Sequence, residues 1–463
     1  MRYLSTRDAR PEPAAFSFED VLLAGLAEDG GLYVPEHVPA LGALAPMPYA
    51  ELAARVVGLF AGEDFPPAQL RALTAEAYAT FRHAAVAPLT QLDERIWLME
   101  LFHGPTLAFK DLALQLVGRM IDAVLARRGE HVTIVGATSG DTGSAALDAC
   151  RGRDAIDVFF LYPHGRISEV QRRQMTTVDA PNAHAVAIEG TFDNCQDIVK
   201  ALFADARLRR DLSLSALNSI NFARVAAQAV YYVSAGIALG GKVSFCVPTG
   251  NFGNVYAGHL ARAVGLPVER LVIGTNANDI LARYLATGRM VIEGVTPSLS
   301  PSMDIQVSSN FERLLFELKG RSGAAVTAAL GAFRKEGALP SDDQAWQAAR
   351  GLISAHRVDD EGTLRSIGRV YRETGLLIDP HSAVGVAAAR QEKPGEAPMV
   401  VLATAHPAKF PDAVERAAGI RPPVPQALAE LAEKPERVAV LPNDAGAVAR
   451  YLRAHARRTA RAA

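Results

Sequence analysis

The sequence predicts a parallel α/β protein behind a helix-rich N-terminal unit. Three observations predict it. From about residue 95 onward, short β-rich runs alternate with apolar, alanine-rich stretches, the pattern of parallel strands joined by crossover helices. Several of those runs end in polar loops rich in glycine and hydroxyls, and parallel α/β folds bind ligands at the carboxyl ends of strands. Residues 1 to about 95 instead show helical periodicity broken by prolines. At 463 residues the chain exceeds one compact core, so two or three domains are expected.

Element by element, residues 18–26 read as an amphipathic helix closed by Asp29-Gly30-Gly31. Pro35, Pro39, Pro46 and Pro48 mark a turn-rich connection. Helices are expected near 49–61 and 67–82. Candidate strands are 95–99, 132–136, 157–162, 184–188, 243–247, 271–275 and 399–403. Residues 144–150 and 224–239 read as helices between them, and 300–375 as mixed and mostly helical. No solenoid-length repeat is present. Arg450, Arg453, Arg457, Arg458 and Arg461 suggest a solvated last helix whose basic end suits its dipole.

Apolar residues make up 49% and charged residues 21%, as in a well-packed enzyme-sized protein. A formal charge of −2 argues against nucleic-acid binding through phosphate neutralisation. No uninterrupted apolar stretch reaches the ~18 residues of a membrane span, and the N-terminus lacks a signal peptide's apolar core. Cys150, Cys195 and Cys246 are too scattered for a disulfide framework or a zinc cluster, so a reducing, cytoplasmic setting is expected and no metal site.

The segment His103-Gly104-Pro105-Thr106-Leu107-Ala108-Phe109-Lys110-Asp111 carries the most chemistry. Lys110 stands at the start of an apolar run. If that run is a helix, its positive end and burial both disfavour the ammonium. A neutral amine condenses with carbonyl groups. A solvated lysine at a helix edge fits the same residues. Lys409, in His406-Pro407-Ala408-Lys409, is a rival amine in a weaker context.

Three loops follow strands. Residues 136–143, Gly-Ala-Thr-Ser-Gly-Asp-Thr-Gly, offer hydroxyls at Thr138, Ser139 and Thr142 and close backbone approach at the glycines. Asp141 is odd in an anion site and reads as a helix cap. Pro248-Thr249-Gly250-Asn251-Phe252-Gly253-Asn254 reads as a phosphate cradle. It has neither the Walker lysine nor the dinucleotide spacing. Thr404 ends the strand at 399–403 with a hydroxyl. Separately, Asn218-Ser219-Ile220-Asn221-Phe222-Ala223-Arg224 opens a long apolar helix and suits a second phosphate, or simply a capped helix.

Taken together, these residues resemble the fold-type-II pyridoxal-phosphate enzymes of the tryptophan synthase β family, and within them the threonine synthases of the longer bacterial and fungal form. The matches run in order through Tyr3–Arg7, Asp29–Pro35, His103–Asp111, Ala137–Gly143, Glu189–Asp193, Asn218–Asn221, Gly250–Asn254 and Asp379–Gly385. The resemblance implies two α/β subdomains within residues 96–463, the smaller at roughly 100–240, behind an N-terminal domain at 1–95. It implies pyridoxal 5'-phosphate attached to Lys110, its phosphate held by Gly250, Asn251, Phe252 and Asn254, and its ring nitrogen bonded by Thr404. It implies that Thr138, Ser139, Asp141 and Thr142 meet the substrate's amino-acid end, and that Asn218, Ser219 and Arg224 bind its phosphate. Phe222-Ala223 departs from the family, where proline often stands first.

The implied substrate is O-phospho-L-homoserine, taken by a monomer or homodimer with no nucleic-acid or membrane partner. A threonine or serine dehydratase, or a catalytically idle relative acting as a binding protein, are the alternative expectations.

Overall fold

The computed structural model describes residues 1–43 and 45–457. Among the described residues, thirteen strands form three sheets. β1 (Tyr3–Ser5) pairs antiparallel with β2 (Tyr33–Pro35). β3 (Leu89–Gln91) and β4 (Ile96–Glu100) belong to a six-stranded sheet with β9 (Val243–Pro248), β10 (Val268–Thr275), β11 (Ile353–Arg357) and β12 (Met399–Ala403). Its order is β11-β10-β9-β12-β4-β3, parallel except for the β3 edge. A second sheet holds β5 (Val132–Ala137), β6 (Ile156–Pro163), β7 (Ala183–Glu189), β8 (Leu214–Ser215) and β13 (Val438–Pro442). It runs β13-β7-β6-β5-β8 and is parallel throughout.

All seven strands expected from the sequence are present within a few residues, because each is a buried β-rich run. The missed strands are two to five residues long, and most lie at sheet edges. β13 shows why. Val438 and Val440 are exposed, and the run earns its strand state only by pairing with β7 across some 250 residues of sequence. The N-terminal unit is likewise not purely helical, since β1 and β2 close a small ribbon.

The helix Tyr49–Ala61 matches its expected bounds. The helix at Pro67 stops at Tyr78 rather than 82, where Thr80 N–H reaches back to the Ala77 carbonyl in a tighter turn. The helix Phe222–Leu239 is long and apolar enough by mean composition to cross a bilayer, although Arg224, Gln228 and Ser234 interrupt its apolar run. Its surroundings explain the composition: 78% of it is buried in the protein, against the helices Tyr49–Ala61, Lys110–Arg128 and Gly253–Ala263. Aromatic contacts pin the N-terminal unit to its start. Tyr3 and Phe60 lie 5.1 and 5.6 Å from Phe222, ring centre to ring centre, each worth about 1 kcal/mol beyond area burial.

The C-terminal tail corrects another expectation. Arg453 pairs with Asp211. Arg457 is only partly solvated and is anchored: it donates to Asp157 at 2.6 Å and to the Ile156 carbonyl at 2.7 Å. Arg458 and Arg461 lie outside the described residues.

Candidate active site

Lys110 is the first residue of the helix Lys110–Arg128. The turn before it is built tightly. Asp111 accepts from Thr106 N–H at 2.8 Å and Thr106 Oγ1 at 2.7 Å, and a side chain on Gly104 would meet Asp111 Cβ at 2.5 Å. Burial, then the nearby Asp148, push the Asp111 carboxyl up to about 7. Leu107 sits at φ +60°, a strained value for a non-glycine residue. Phe109 N–H then donates to the Thr404 carbonyl at 2.9 Å, and His406 N–H to the Leu107 carbonyl at 3.1 Å. These bonds lay the end of β12 beside the lysine, so Thr404 and Lys110 become neighbours.

The Lys110 amine is buried and faces Asp141, Nζ to Oδ2 3.3 Å. Asp141 does not cap its helix as expected; Gly140 is the cap residue and makes no side-chain bond. Instead the carboxylate takes Lys409 Nζ at 2.7 Å and Gln171 Nε2 at 3.0 Å on Oδ1. Lys409 is fully buried, so its context is stronger than the sequence suggests. Burial lowers the Lys110 pKa; Asp141 opposes that, while Lys409 and Arg224 add to it.

Within the same loop, Thr138 Oγ1 accepts from Gly140 and Gly143 N–H, both at 2.9 Å. That hydroxyl holds the loop's own shape. Ser139 is exposed and Thr142 half-buried at the rim.

The Pro248–Asn254 loop leads into the helix Gly253–Ala263. Phe252 caps it at φ +62° with no side-chain bond to the first amides. Those amides lack partners within the helix and point at the loop's mouth. A side chain at Gly250 would press Met303 Cα at 3.0 Å and the Ser302 carbonyl at 3.2 Å. Asn251 Oδ1 accepts from Ser309 N–H at 2.9 Å, and its Nδ2 donates to Ser219 Oγ. Asn254 turns inward: its Oδ1 accepts from Tyr231 and Tyr232 hydroxyls at 2.5 and 2.9 Å. Its buried Nδ2 has no partner among the described residues.

At the start of Phe222–Leu239, Asn221 is the capping residue, accepting from Ala223 N–H at 2.9 Å. Asn218 Oδ1 accepts from Ile220 N–H at 3.1 Å. Arg224 is 3% exposed, and its Nε and Nη1 have no partner among the described residues. Burial pushes its pKa down to about 10. A buried guanidinium left this way is costly and implies an anion.

Sequence reasoning assigned no role to the 298–310 segment. Ser302 Oγ lies 3.5 Å from Asp141 Oδ2, and Ser302 N–H donates to His381 Nε2 at 3.3 Å. His381 Nδ1 therefore carries the proton and gives it to Asp379 Oδ1 at 2.8 Å. Asp379 also caps the helix Pro380–Gln391 and accepts from Ser382 Oγ, which in turn accepts from Thr404 N–H at 3.2 Å. The Asp-Pro pair is a helix-start signal, and Asp379–Gly385 is one of the stretches that carry the family resemblance.

The described residues fit a phosphorylated aldehyde cofactor. A buried lysine, whose pKa burial lowers, lies next to a strand-end hydroxyl residue, since Phe109 N–H bonds the Thr404 carbonyl. A glycine-lined helix start adds amides with no side-chain cap and an amide nitrogen, Asn254 Nδ2, that is unpartnered among the described residues. Fold and site define a pyridoxal-phosphate-dependent enzyme. A family model described as pyridoxal-phosphate dependent enzyme matches residues 81–332. Models described as threonine synthase N terminus and threonine synthase, C-terminal match residues 2–78 and 382–452. Threonine synthase of Pseudomonas aeruginosa is 53% identical, with 99% of each chain covered. That of Corynebacterium glutamicum is 44% identical over 98% of each. The structure of pyridoxal-phosphate-bound threonine synthase from Brucella melitensis is 50% identical, with a TM-score of 0.96 over 99% of this chain and 100% of that one. The chain belongs to the threonine synthase family.

Proposed function

We propose that the protein converts O-phospho-L-homoserine and water to L-threonine and phosphate, as a carbon–oxygen lyase at the last step of threonine biosynthesis. The single observation that carries the reading is Arg224, a buried guanidinium with two nitrogens unpartnered among the described residues and a charge that helps lower the Lys110 pKa. A substrate bearing its own phosphate satisfies it, with Asn218 and Ser219 beside it. A dehydratase acting on a free hydroxyl amino acid leaves it unmatched.

Bound pyridoxal phosphate supplies an electron sink for the substrate's α-carbon. Lys110 Nζ, when neutral, takes the α-proton and later returns protons to the carbon chain. Gly250, Asn251, Phe252 and Asn254 would hold the cofactor's phosphate, and Thr404 would bond its ring nitrogen. Asn254 contributes through its unpartnered Nδ2, since its oxygen is taken by the two tyrosines. The loop of Thr138, Ser139, Asp141 and Thr142 would receive the amino-acid end, with Ser139 and Thr142 at its rim and buried Thr138 and Asp141 behind them. Arg224 steadies charge on the departing phosphate. A reducing, cytoplasmic setting suits the three buried free cysteines.

The test is to supply the cofactor-loaded protein with O-phospho-L-homoserine and measure phosphate and threonine. Equimolar release is expected, abolished by Lys110→Ala. Keto-acid production from threonine without phosphate release would move the protein to the dehydratases. Absence of either turnover would mark it as a binding relative.

A further inference from the structure

The sequence leaves Lys409 as a rival amine to Lys110; the geometry gives the two different tasks. We propose that Lys409 is the fixed counter-ion of Asp141, a positioning residue that leaves Lys110 without a committed anion and free to act as a neutral amine. The inference rests on the reading that Lys110 carries the chemistry.

Asp141 is one carboxylate shared by two buried amines, and its two oxygens are not equivalent. Oδ1 receives Lys409 at 2.7 Å and Gln171 at 3.0 Å. Oδ2 meets Lys110 at 3.3 Å and Ser302 at 3.5 Å. The short, charge-assisted contact belongs to Lys409. Lys409 is also anchored a second time, donating to the Thr106 carbonyl at 3.0 Å, and it is fully buried. Lys110 has no second hydrogen-bond acceptor among the described residues; its other neighbour is the Phe109 ring, 4.8 Å away.

One carboxylate compensates one ammonium. A second buried ammonium in the same cluster is unfavourable, so one amine gives up its proton more readily. The surroundings select Lys110. It opens a helix, whose positive end disfavours a cation, and buried Arg224 on the helix Phe222–Leu239 adds a further positive charge. Asp111, on the helix of Lys110, engages Thr106. His381 accepts from Ser302, and His406 Nδ1 accepts from Ala408, so neither contributes a charge in that arrangement. Burial lowers the Lys110 pKa against the pull of Asp141. Burial pushes Asp141 up, but Lys409 first and Lys110 second hold it well below the usual carboxylate range.

The experiment follows covalent attachment of pyridoxal phosphate to the apoprotein, read by visible absorbance between about pH 6 and 10. Borohydride fixation and peptide mapping locate it. In K409M, Asp141 has only Lys110 left to pair with. Attachment should still map to Lys110, with its pH midpoint displaced upward by about one unit and a roughly tenfold slower rate at neutral pH. K409R, which keeps the charge, should stay near the wild-type profile. The double variant K409M/D141N removes both charges together and should return to it. A wild-type profile in K409M, or a label on Lys409 in the unaltered protein, overturns the proposal. If K409M does not fold, an upward displacement in the double variant overturns it equally. Attachment needs no substrate. A protein that shows these profiles yet releases no phosphate from phosphohomoserine refutes the reaction reading alone.

Discussion

Arg7 and Glu312, 305 residues apart, form a two-pronged ion pair. Arg7 Nη2 donates to Oε2 at 2.5 Å and Nε to Oε1 at 2.9 Å. Thr6 Oγ1 adds a third bond to Oε1 at 2.6 Å. The pair fastens the N-terminal ribbon to the helix Phe311–Leu318, which directly follows the segment over the glycine loop. The next residue, Arg313, is fully buried and donates to the Tyr33 carbonyl at 2.9 Å and the Ile220 carbonyl at 2.5 Å. The N-terminal unit is thereby coupled to the site it does not line.

Removing one partner of this buried pair strands the other. Glu312→Ala should lower stability by about 3 kcal/mol, read as a fall in urea midpoint with unchanged slope. A loss below about 1 kcal/mol would mean the pair is dispensable.

Arg224 should behave in the opposite way. It is a buried charge with two donors unmet among the described residues. Arg224→Met should therefore stabilise the apoprotein by about 1 kcal/mol or more. The same change should cut kcat/KM for O-phospho-L-homoserine by about a hundredfold or more, through loss of charge-assisted phosphate contacts. Destabilisation of the apoprotein would show that the guanidinium is structural.

His406 makes the Thr404–Lys409 turn acid-sensitive. Its Nδ1 accepts from Ala408 N–H at 3.1 Å, which requires that nitrogen unprotonated. Burial first, then His103, depress it from 6.5 to about 4. A histidine whose folded pKa is depressed must bind a proton more readily unfolded. Its contribution to stability is full above pH 6.5 and is lost as pH falls through about 4. Unfolding midpoints taken across that window should decline. His406→Asn, which can still accept the bond without titrating, should flatten the decline; an unchanged slope would assign it to other groups.

The candidate site's residue types are legible in the sequence because their signals are local. Lys110 before an apolar run, the Gly250–Asn254 loop after a buried strand and the Asn218–Arg224 helix start each announce chemistry within a few residues. What those residues touch was not legible. Asp141 reads locally as a helix cap, and only the fold brings Lys409, 268 positions later by the numbering, onto its carboxylate. Ser302 and His381 sit in stretches whose composition has no catalytic signature. Their place is set by loop 298–310 folding across the Asn251 loop, through bonds from Ser308 to the Gly250 carbonyl and from Ser309 to Asn251.

The sequence by itself determined the α/β alternation, the buried strands and the kinds of group at their ends. Hydrophobic periodicity and helix-start chemistry act over one or two turns of chain, so they are written where they act. Tertiary structure decided the pairing of charges. It also decided the return of β13 to the second sheet and the fate of Arg457. Such contacts depend on which distant elements become neighbours and on how far water is excluded between them, and no single stretch of sequence contains either. The two lysines illustrate the division. Residue types alone leave them as rivals, and a shared, buried carboxylate separates their roles.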